Sequence, residues 1–496
     1  MKNFSFLTSV AIICLLSSCS SPKSFSPTAS SNPWPDDYID VASISDKSSW
    51  GTYNVHDPSC RKIGKYYYMY STDAIFDSPS LHNSEMKTGF IQVRRSLDLV
   101  HWEFKGWAFT SIPQEAIDWV HSHTGGKGAT NIWAPFIIAY QNRYRLYYCV
   151  SAFGRKTSYI GMAESESPEG PWRQKGCVVK TNDNSVMNAI DPSVIVDSKT
   201  NKWWMHYGSF FGGLYCMELN PDTGLALVDG DQGHLSARRA NGNQDNQEAP
   251  EIIFNKRQNK AFLFSSYDPL MTTYNVRAGR SDKIEGPFLD IDNNDLRDTI
   301  NHYPLLIAPY RFEGHPGWAG TGHCGVICDN NGKYFMVHQG RLSPENLQMV
   351  LHVRQLFFTP SGWPIVSPER YTASKSRTFK ERDLVGKWEI IHFKKPKRER
   401  ELEDGQVLWG EGHLLPSEVN TSFELTLKVD HSLNTKNNIG RWSLSSPKQL
   451  LDISIGDEII KDLLLFSGHD WERNTDTILF SGLDKDGCAV WGKRIF

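Results

Sequence analysis

Short apolar runs separated by polar turns recur through the middle of the chain. Five segments share one order: a small or polar start, an apolar run, a turn, then an aromatic-rich run. The first opens at His56-Asp57-Pro58-Ser59, turns at Gly64-Lys65 and continues as Tyr66-Tyr67-Tyr68-Met69-Tyr70. The second opens at Trp133-Ala134-Pro135 and the third at Ile190-Asp191-Pro192-Ser193. The fourth opens at Glu248-Ala249-Pro250, and the fifth at Gly322-His323-Cys324-Gly325. Each reads as a β-hairpin, two strand-like runs around an Asn, Gly or Lys turn. Further strand-like runs follow some of them: 89–96 before His101-Trp102, 158–164 before Gly170-Pro171-Trp172, and 276–281 before Gly286-Pro287-Phe288. Four short strands per unit, repeated with inserted loops, predict a five-bladed β-propeller over 38–374.

Beyond Ser374 the pattern changes. Strand-like runs at 386–393, 422–429, 440–444, 462–467, 477–482 and 489–496 predict a smaller β-barrel or sandwich over 375–496. The fold class expected is therefore all-β. Helical periodicity is scarce, and His121 and His123 fall in a loop between the first two blades. The cluster Lys394-Lys395-Pro396-Lys397-Arg398 reads as a solvated turn.

The N-terminus reads as a sorting signal. Residues 4–16 are mostly apolar, too short for a membrane-spanning helix and the length of a signal-peptide core. They lead into Leu16-Ser17-Ser18-Cys19, which resembles a lipobox. The expectation is a signal peptide over 1–18, lipidation of Cys19 and a Ser/Pro-rich tether over 19–37. The protein would then be lipid-anchored to a bacterial outer membrane, on its surface or periplasmic face. Beyond Cys14 and Cys19 in the signal, the seven other cysteines are too scattered for a disulfide scaffold, and Cys324 and Cys328 read as buried thiols.

Charge narrows the classes. Among 496 residues the net charge is −3, so the basic footprint of a nucleic-acid binder is missing. Aromatic residues reach 12%, which suits both strands and stacking on sugars. Residues opening the innermost strand of each blade face the axis, so the repeat brings Asp57, Asp191, Glu248 and His323 toward one place. Three carboxylates there are costly to desolvate without a function or a cation. Two carboxylates flanking a glycosidic bond are the minimum for its hydrolysis, and a third raises the acid's pKa by repulsion.

The five opening motifs, taken in order, resemble those of glycoside hydrolase family 43, in particular its bacterial two-domain endo-1,5-α-L-arabinanases. Ser151-Ala152-Phe153-Gly154, Asn188-Ala189 and Gly208-Ser209-Phe210-Phe211-Gly212-Gly213 carry the resemblance further, and 384–492 is similar to the β-domain appended to such enzymes. The resemblance implies inverting endo-hydrolysis of α-1,5-linked arabinan by a monomer. Asp57 would be the general base and Glu248 the general acid. Asp191 would raise the acid's pKa and orient it. Trp133, Phe153, Asn188 and Ser209 would bind substrate, and His323 would hold a calcium ion on the axis. Phe136 departs from the pattern, standing where the family often carries an acidic residue. An exo-acting α-L-arabinofuranosidase or β-xylosidase would keep the same trio, and a non-catalytic glycan-binding surface lipoprotein would not need it.

Overall fold

The computed structural model describes residues 50–74, 89–239, 246–298, 300–343, 349–396 and 414–496. The expected signal peptide, Cys19 and the tether lie outside the described residues, as do Lys397 and Arg398. The first sheet holds β1 (His56–Ile63), β2 (Tyr66–Thr72), β3 (Phe90–Ser96) and β4 (Glu103–Phe109), neighbours in that order. After helix α1 (Gln114–Thr124) comes a second sheet of β5 (Trp133–Tyr140), β6 (Arg143–Ser151), β7 (Ser158–Ser165) and β8 (Arg173–Thr181). The third holds β9 (Ser193–Val196), β10 (Trp203–Tyr207), β11 (Leu214–Leu219) and β12 (His234–Ala237). The fourth holds β13 (Gln247–Asn255), β14 (Lys260–Tyr267), β15 (Asn275–Ser281) and β16 (Leu305–Ile307). The arrangement is propeller-like, with the first strands packed on one another: β1 on β5, β5 on β9, β9 on β13.

Two expectations need correction. There are four separate four-stranded blades, not five. The fifth repeat unit enters a seven-stranded sheet, in which β19 (Gly325–Cys328), β20 (Tyr334–Leu342), β21 (Met349–Phe358) and β22 (Pro364–Val366) follow β17 (Tyr310–Arg311) and β18 (Trp318–Ala319) in the chain. The reason is that β18 pairs with the far half of β20, through Trp318↔Leu342 and Ala319↔Arg341. Second, α1 occupies what the sequence pattern left as a loop, and it carries both His121 and His123. Its buried residues Ala116, Val120 and Thr124 fall four apart, one face of a helix, and Gly125 ends it.

Each of the five repeat units opens with the same backbone device. Asp57, Ala134, Asp191, Ala249 and His323 all lie in the left-handed region, with φ of 50°, 42°, 59°, 55° and 47°. The ladder register shifts just there in β1, β5 and β13. Glu248 is therefore not the equivalent of Asp57, as the sequence pattern had it. Ala249 is, and Glu248 stands one residue earlier. Two residues past three of these positions, side chains join neighbouring units. Ser59 Oγ accepts from Ile137 N at 3.4 Å, Ser193 Oγ from Ile252 N at 3.1 Å, and Glu251 Oε1 from Val326 N at 3.0 Å.

The C-terminal strands close into a barrel of β23 (Gly386–His392), β25 (Phe423–Leu427), β26 (Ser432–Thr435), β27 (Ile439–Ser445), β28 (Leu450–Ile455), β29 (Glu458–Asp470), β30 (Thr475–Leu483) and β31 (Ala489–Arg494). Closure removes the exposed edges a sandwich would leave. Between β23 and β25, β24 (Asn420–Thr421) leaves the barrel and pairs parallel with β17. One hydrophobic core spans the junction, with Ile391, Phe393, Ala489 and Trp491 packed among Leu305, Tyr310, Trp318 and Met336. Beside it Lys493 is buried with Nζ 2.8 Å from Glu369 and 3.0 Å from Asp470, and also in contact with Glu472.

Lys493→Met removes the cation and leaves Glu369, Asp470 and Glu472 facing one another. A loss of about 3–5 kcal/mol of unfolding free energy is expected, as for other broken buried pairs. Denaturant titration followed by tryptophan fluorescence checks it, and a midpoint equal to that of the wild type would contradict the assigned role.

Candidate active site

The strand openings surround a cleft of about 690 Å³. Asp57, Asp191, Glu248 and His323 all line it, as do Trp133, Phe153, Asn188 and Ser209. Every residue singled out from the sequence for catalysis, substrate or cation thus meets in one place. The three carboxylates are 6–9% exposed, so their protonation is decided by their neighbours rather than by water.

Asp57 is surrounded by groups that favour its charge. His323 Nδ1 stands 2.8 Å from Oδ1, and Thr72 Oγ1 donates to Oδ2 at 2.7 Å. The Thr72 oxygen in turn accepts from Ala134 N at 2.8 Å, tying the second blade's opening to the first. The Asp57 amide donates to Gln339 Oε1 at 3.1 Å, so β20 holds the same residue from the other side. Burial works against the carboxylate, but the adjacent histidines and these hydrogen bonds outweigh it and keep Asp57 well below the usual carboxylate range. The partner responds in the opposite sense. Burial opposes a charge on His323, yet Asp57 first, then Asp191 and Glu248, push its pKa up to about 9.

Glu248 and Asp191 are the opposite case. Burial dominates at Glu248 and pushes its pKa up, with Asp57 repulsion adding to it. Donation from Tyr274 OH to Oε1 at 2.6 Å and from Ser209 Oγ to Oε2 at 2.7 Å offsets part of this. At Asp191 burial and the repulsion of Glu248 and Asp57 push the pKa well up. Its Oδ2 accepts from Ala249 N at 3.1 Å, so it grips the peptide unit that carries Glu248. Like carboxylates crowded in one buried place cannot all ionise.

The remaining candidates divide. Trp133 is half-buried, and Phe153 lines the cleft at 68% exposure. Asn188 Oδ1 accepts from Ser158 Oγ at 2.5 Å. Ser209, expected to touch substrate, is turned toward Glu248. His121 and His123 do not line the cleft; their rings meet backbone carbonyls of Gly128 and Trp119. Phe136 is also absent from the lining, buried with the Arg61 guanidinium 4.5 Å over its ring. Cys324 is a buried thiol as expected, but Cys328 is exposed. Thr72, Gln339 and Tyr274 had no signal in the sequence, since they stand in no shared motif.

At the axis the donor set for a cation is sparse. His323 Nδ1 is committed to Asp57, which leaves one ring nitrogen. Among the described residues, three-ligand clusters occur only away from the axis, in the barrel at His392, Glu458 and Asp484, and at its junction with the propeller at Glu369, Asp470 and Glu472. The axis fits an ion held through one nitrogen and water, not a protein cage of oxygens.

Residues 51–364 match the sequence profile described as glycosyl hydrolases family 43. The chain belongs to that family. Residues 368–492 match its C-terminal lipocalin-like domain. Among similar family members, the extracellular endo-α-(1→5)-L-arabinanase of Thermotoga petrophila is 28% identical over 487 residues, covering 89% of this chain and 93% of that protein. The extracellular exo-α-(1→5)-L-arabinofuranosidase of Cellvibrio japonicus is 30% identical over 345 residues, 66% of this chain and 90% of its own length. The crystal structure of the Thermotoga petrophila endo-1,5-α-L-arabinanase superposes with a TM-score of 0.73 at 26% identity, covering 90% of this chain and 99% of that one.

The pair between His323 and Asp57 sets a pH dependence for this family 43 site. The folded pKa of about 9 exceeds the ordinary 6.5 of histidine, so the stabilisation is complete below pH 6.5 and lost as pH rises to about 9. In chelator, the wild type should lose about 3 kcal/mol more than His323→Gln over that interval. Parallel denaturant titrations at several pH values measure the difference, and equal pH slopes would refute the pairing.

Proposed function

We propose that this chain is an inverting endo-1,5-α-L-arabinanase. The reaction class rests on one observation above all: Asp57 and Glu248 line the same cleft, Asp57 held below the ordinary carboxylate range and Glu248 pushed above it. Asp57 as carboxylate accepts a proton from water, and Glu248 as acid gives one to the leaving glycosidic oxygen. Asp191 holds the acid's peptide unit, and repulsion between the two carboxyls favours keeping a proton on the pair. Trp133 and Phe153 offer faces to the sugars, and Asn188 a fixed amide. The substrate reading draws on the relatives, and the endo reading on the Thermotoga petrophila enzyme, which is matched through both domains. The exo-acting relative, matched over 66% of this chain, is the second reading.

We read the β19–β22 portion of the large sheet as the fifth blade. Support comes from β19, which packs on both β1 and β13. Domain limits at 374 and 375, a signal peptide over 1–18 and a lipid anchor on Cys19 complete the reading, and the word extracellular in the relatives' names supports export. The protein acts as a monomer on polysaccharide.

Linear α-1,5-arabinan should give oligosaccharides of mixed length at early times, and the first product observed by proton NMR should be the β-anomer. Arabinose alone would turn the reading to exo action. An initial α-anomer would replace the base by a nucleophile.

A calcium ion on the axis would be held by the free nitrogen of His323 and by water. When bound, it supplies the positive charge that the imidazolium supplies without it. Full-length His323→Ala should lose the metal and at least tenfold in activity while keeping the blades folded. Elemental analysis beside circular dichroism tests this, and a fully active wild type without metal would end the calcium proposal.

A further inference from the structure

Glu248 is held by two hydroxyls that come from outside its own strand. Ser209 reaches it through a tight loop that bridges backbone to backbone at Ser209 and Glu248. At Gly208, φ is 132° and a Cβ would fall 2.5 Å from the Gly213 carbonyl, so the turn takes glycine only. Tyr274 arrives from the other side, just before β15. Its ring lies flat against the backbone before His323: a Cβ on Gly322 would stand 2.1 Å from Tyr274 Cδ1. Thr321 Oγ1 donates to the Tyr274 carbonyl at 3.2 Å, fixing the same segment. Both donors are buried, Ser209 at 3% and Tyr274 well covered.

We propose that the Ser209 and Tyr274 hydroxyls form a preset cradle for the carboxylate that Glu248 becomes on giving up its proton, with Tyr274 as its main positioning residue. This rests on Glu248 being the general acid. Each carboxyl oxygen has two acceptor sites, and the cradle fills one on each. The acid proton must occupy a remaining site, away from both donors and open to the cleft. In the reaction, the Glu248 O–H bond breaks as an O–H bond forms on the leaving oxygen. The electron pair of the broken C–O bond goes to that oxygen, while water adds to the anomeric carbon and releases its proton to Asp57. Hydrogen bonds to an ionised acceptor are about twice as strong as neutral ones. The two hydroxyls thus bind more tightly as the proton leaves, and only such differential binding speeds the step.

Asp57 and Asp191 face Glu248 as acids and His323 as a base, while Arg341 lines the same cleft. None of these groups is altered in Tyr274→Phe, which keeps the ring against Gly322 and removes only the hydroxyl. With full-length protein, kcat on linear arabinan should fall about tenfold to a hundredfold, with KM changed less than about twofold. The lost donor favoured the charged carboxyl, so the pKa of Glu248 rises and the alkaline limb of kcat/KM moves to higher pH by about one unit. A nitrophenyl arabino-oligosaccharide, whose leaving group needs little protonation, should lose much less than arabinan. An unchanged kcat, a change in KM alone, or equal losses on both substrates with the limb unmoved would overturn the proposal. Ser209→Ala is read in the same way and decides the matter if Tyr274→Phe fails to fold by circular dichroism. Glu248→Gln separates the two levels of inference. If it keeps wild-type activity on arabinan, or if the wild type has none, the acid assignment itself falls. If it is inactive and Tyr274→Phe behaves as wild type, only the cradle falls.

Discussion

A left-handed residue at the head of each inner strand is the constraint on which the site is built. A non-glycine residue there costs about 1 kcal/mol or more, and aspartate and histidine tolerate it better than most. Asp57, Asp191 and His323 accept that backbone, and the twist it imposes turns their side chains across the axis rather than along the sheet. Ala134 and Ala249 hold the same conformation with nothing to present. At the fourth opening the useful side chain is displaced by one residue, to Glu248. Glu248 still lines the cleft from there, as His56 does one residue before Asp57.

Three carboxyl groups then meet three different surroundings within one cleft. Asp57 has an imidazole at 2.8 Å and two further hydrogen-bond partners, and it stays charged. Asp191 has one backbone donor and two carboxylates for company, and it resists ionisation. Glu248 stands between these extremes, its burial tempered by two hydroxyls. None of this needs special chemistry in the carboxyl groups. It follows from who stands beside whom, and the repeat decides that.

Much of this was legible beforehand because repetition is visible in a string of letters. His56-Asp57-Pro58 and Ile190-Asp191-Pro192 announce themselves, and six of the eight barrel strands follow from apolar runs. What the letters concealed is register. Glu248-Ala249-Pro250 aligns with the other motifs through its proline, yet the acidic residue invites alignment through its charge, and the two differ by one position. The hydroxyls of Thr72 and Tyr274 were invisible for another reason. They stand on outer strands or the approach to them, where spacing relative to the motif carries no information. Helix α1 was missed although Ala116, Val120 and Thr124 mark its face, because one short helix among many strands is easily absorbed into a loop. The fifth unit looked like its siblings in sequence, but pairing of β18 with β20 is a long-range choice that no local pattern records.

The hydrogen bond from Asp57 to Gln339 joins residues 282 apart in the chain. Asp57 is among the earliest parts of the fold to be synthesised, and what fixes it is among the later ones. Contacts of such separation are slow to form, because the loop must close before any contact rewards it. During synthesis the first blade must wait with the apolar face of Cys60, Tyr67 and Met69 uncovered until Ile327, Phe335, Val337, Leu351 and Val353 arrive. Apolar surface left open in this way is where aggregation begins. The pairing of β24 with β17 and the core shared around Trp491 make the last part of the chain a latch on the ring. An enzyme so joined has a yield, in any host that makes it, limited by how long the first blade can be kept from pairing with a stranger.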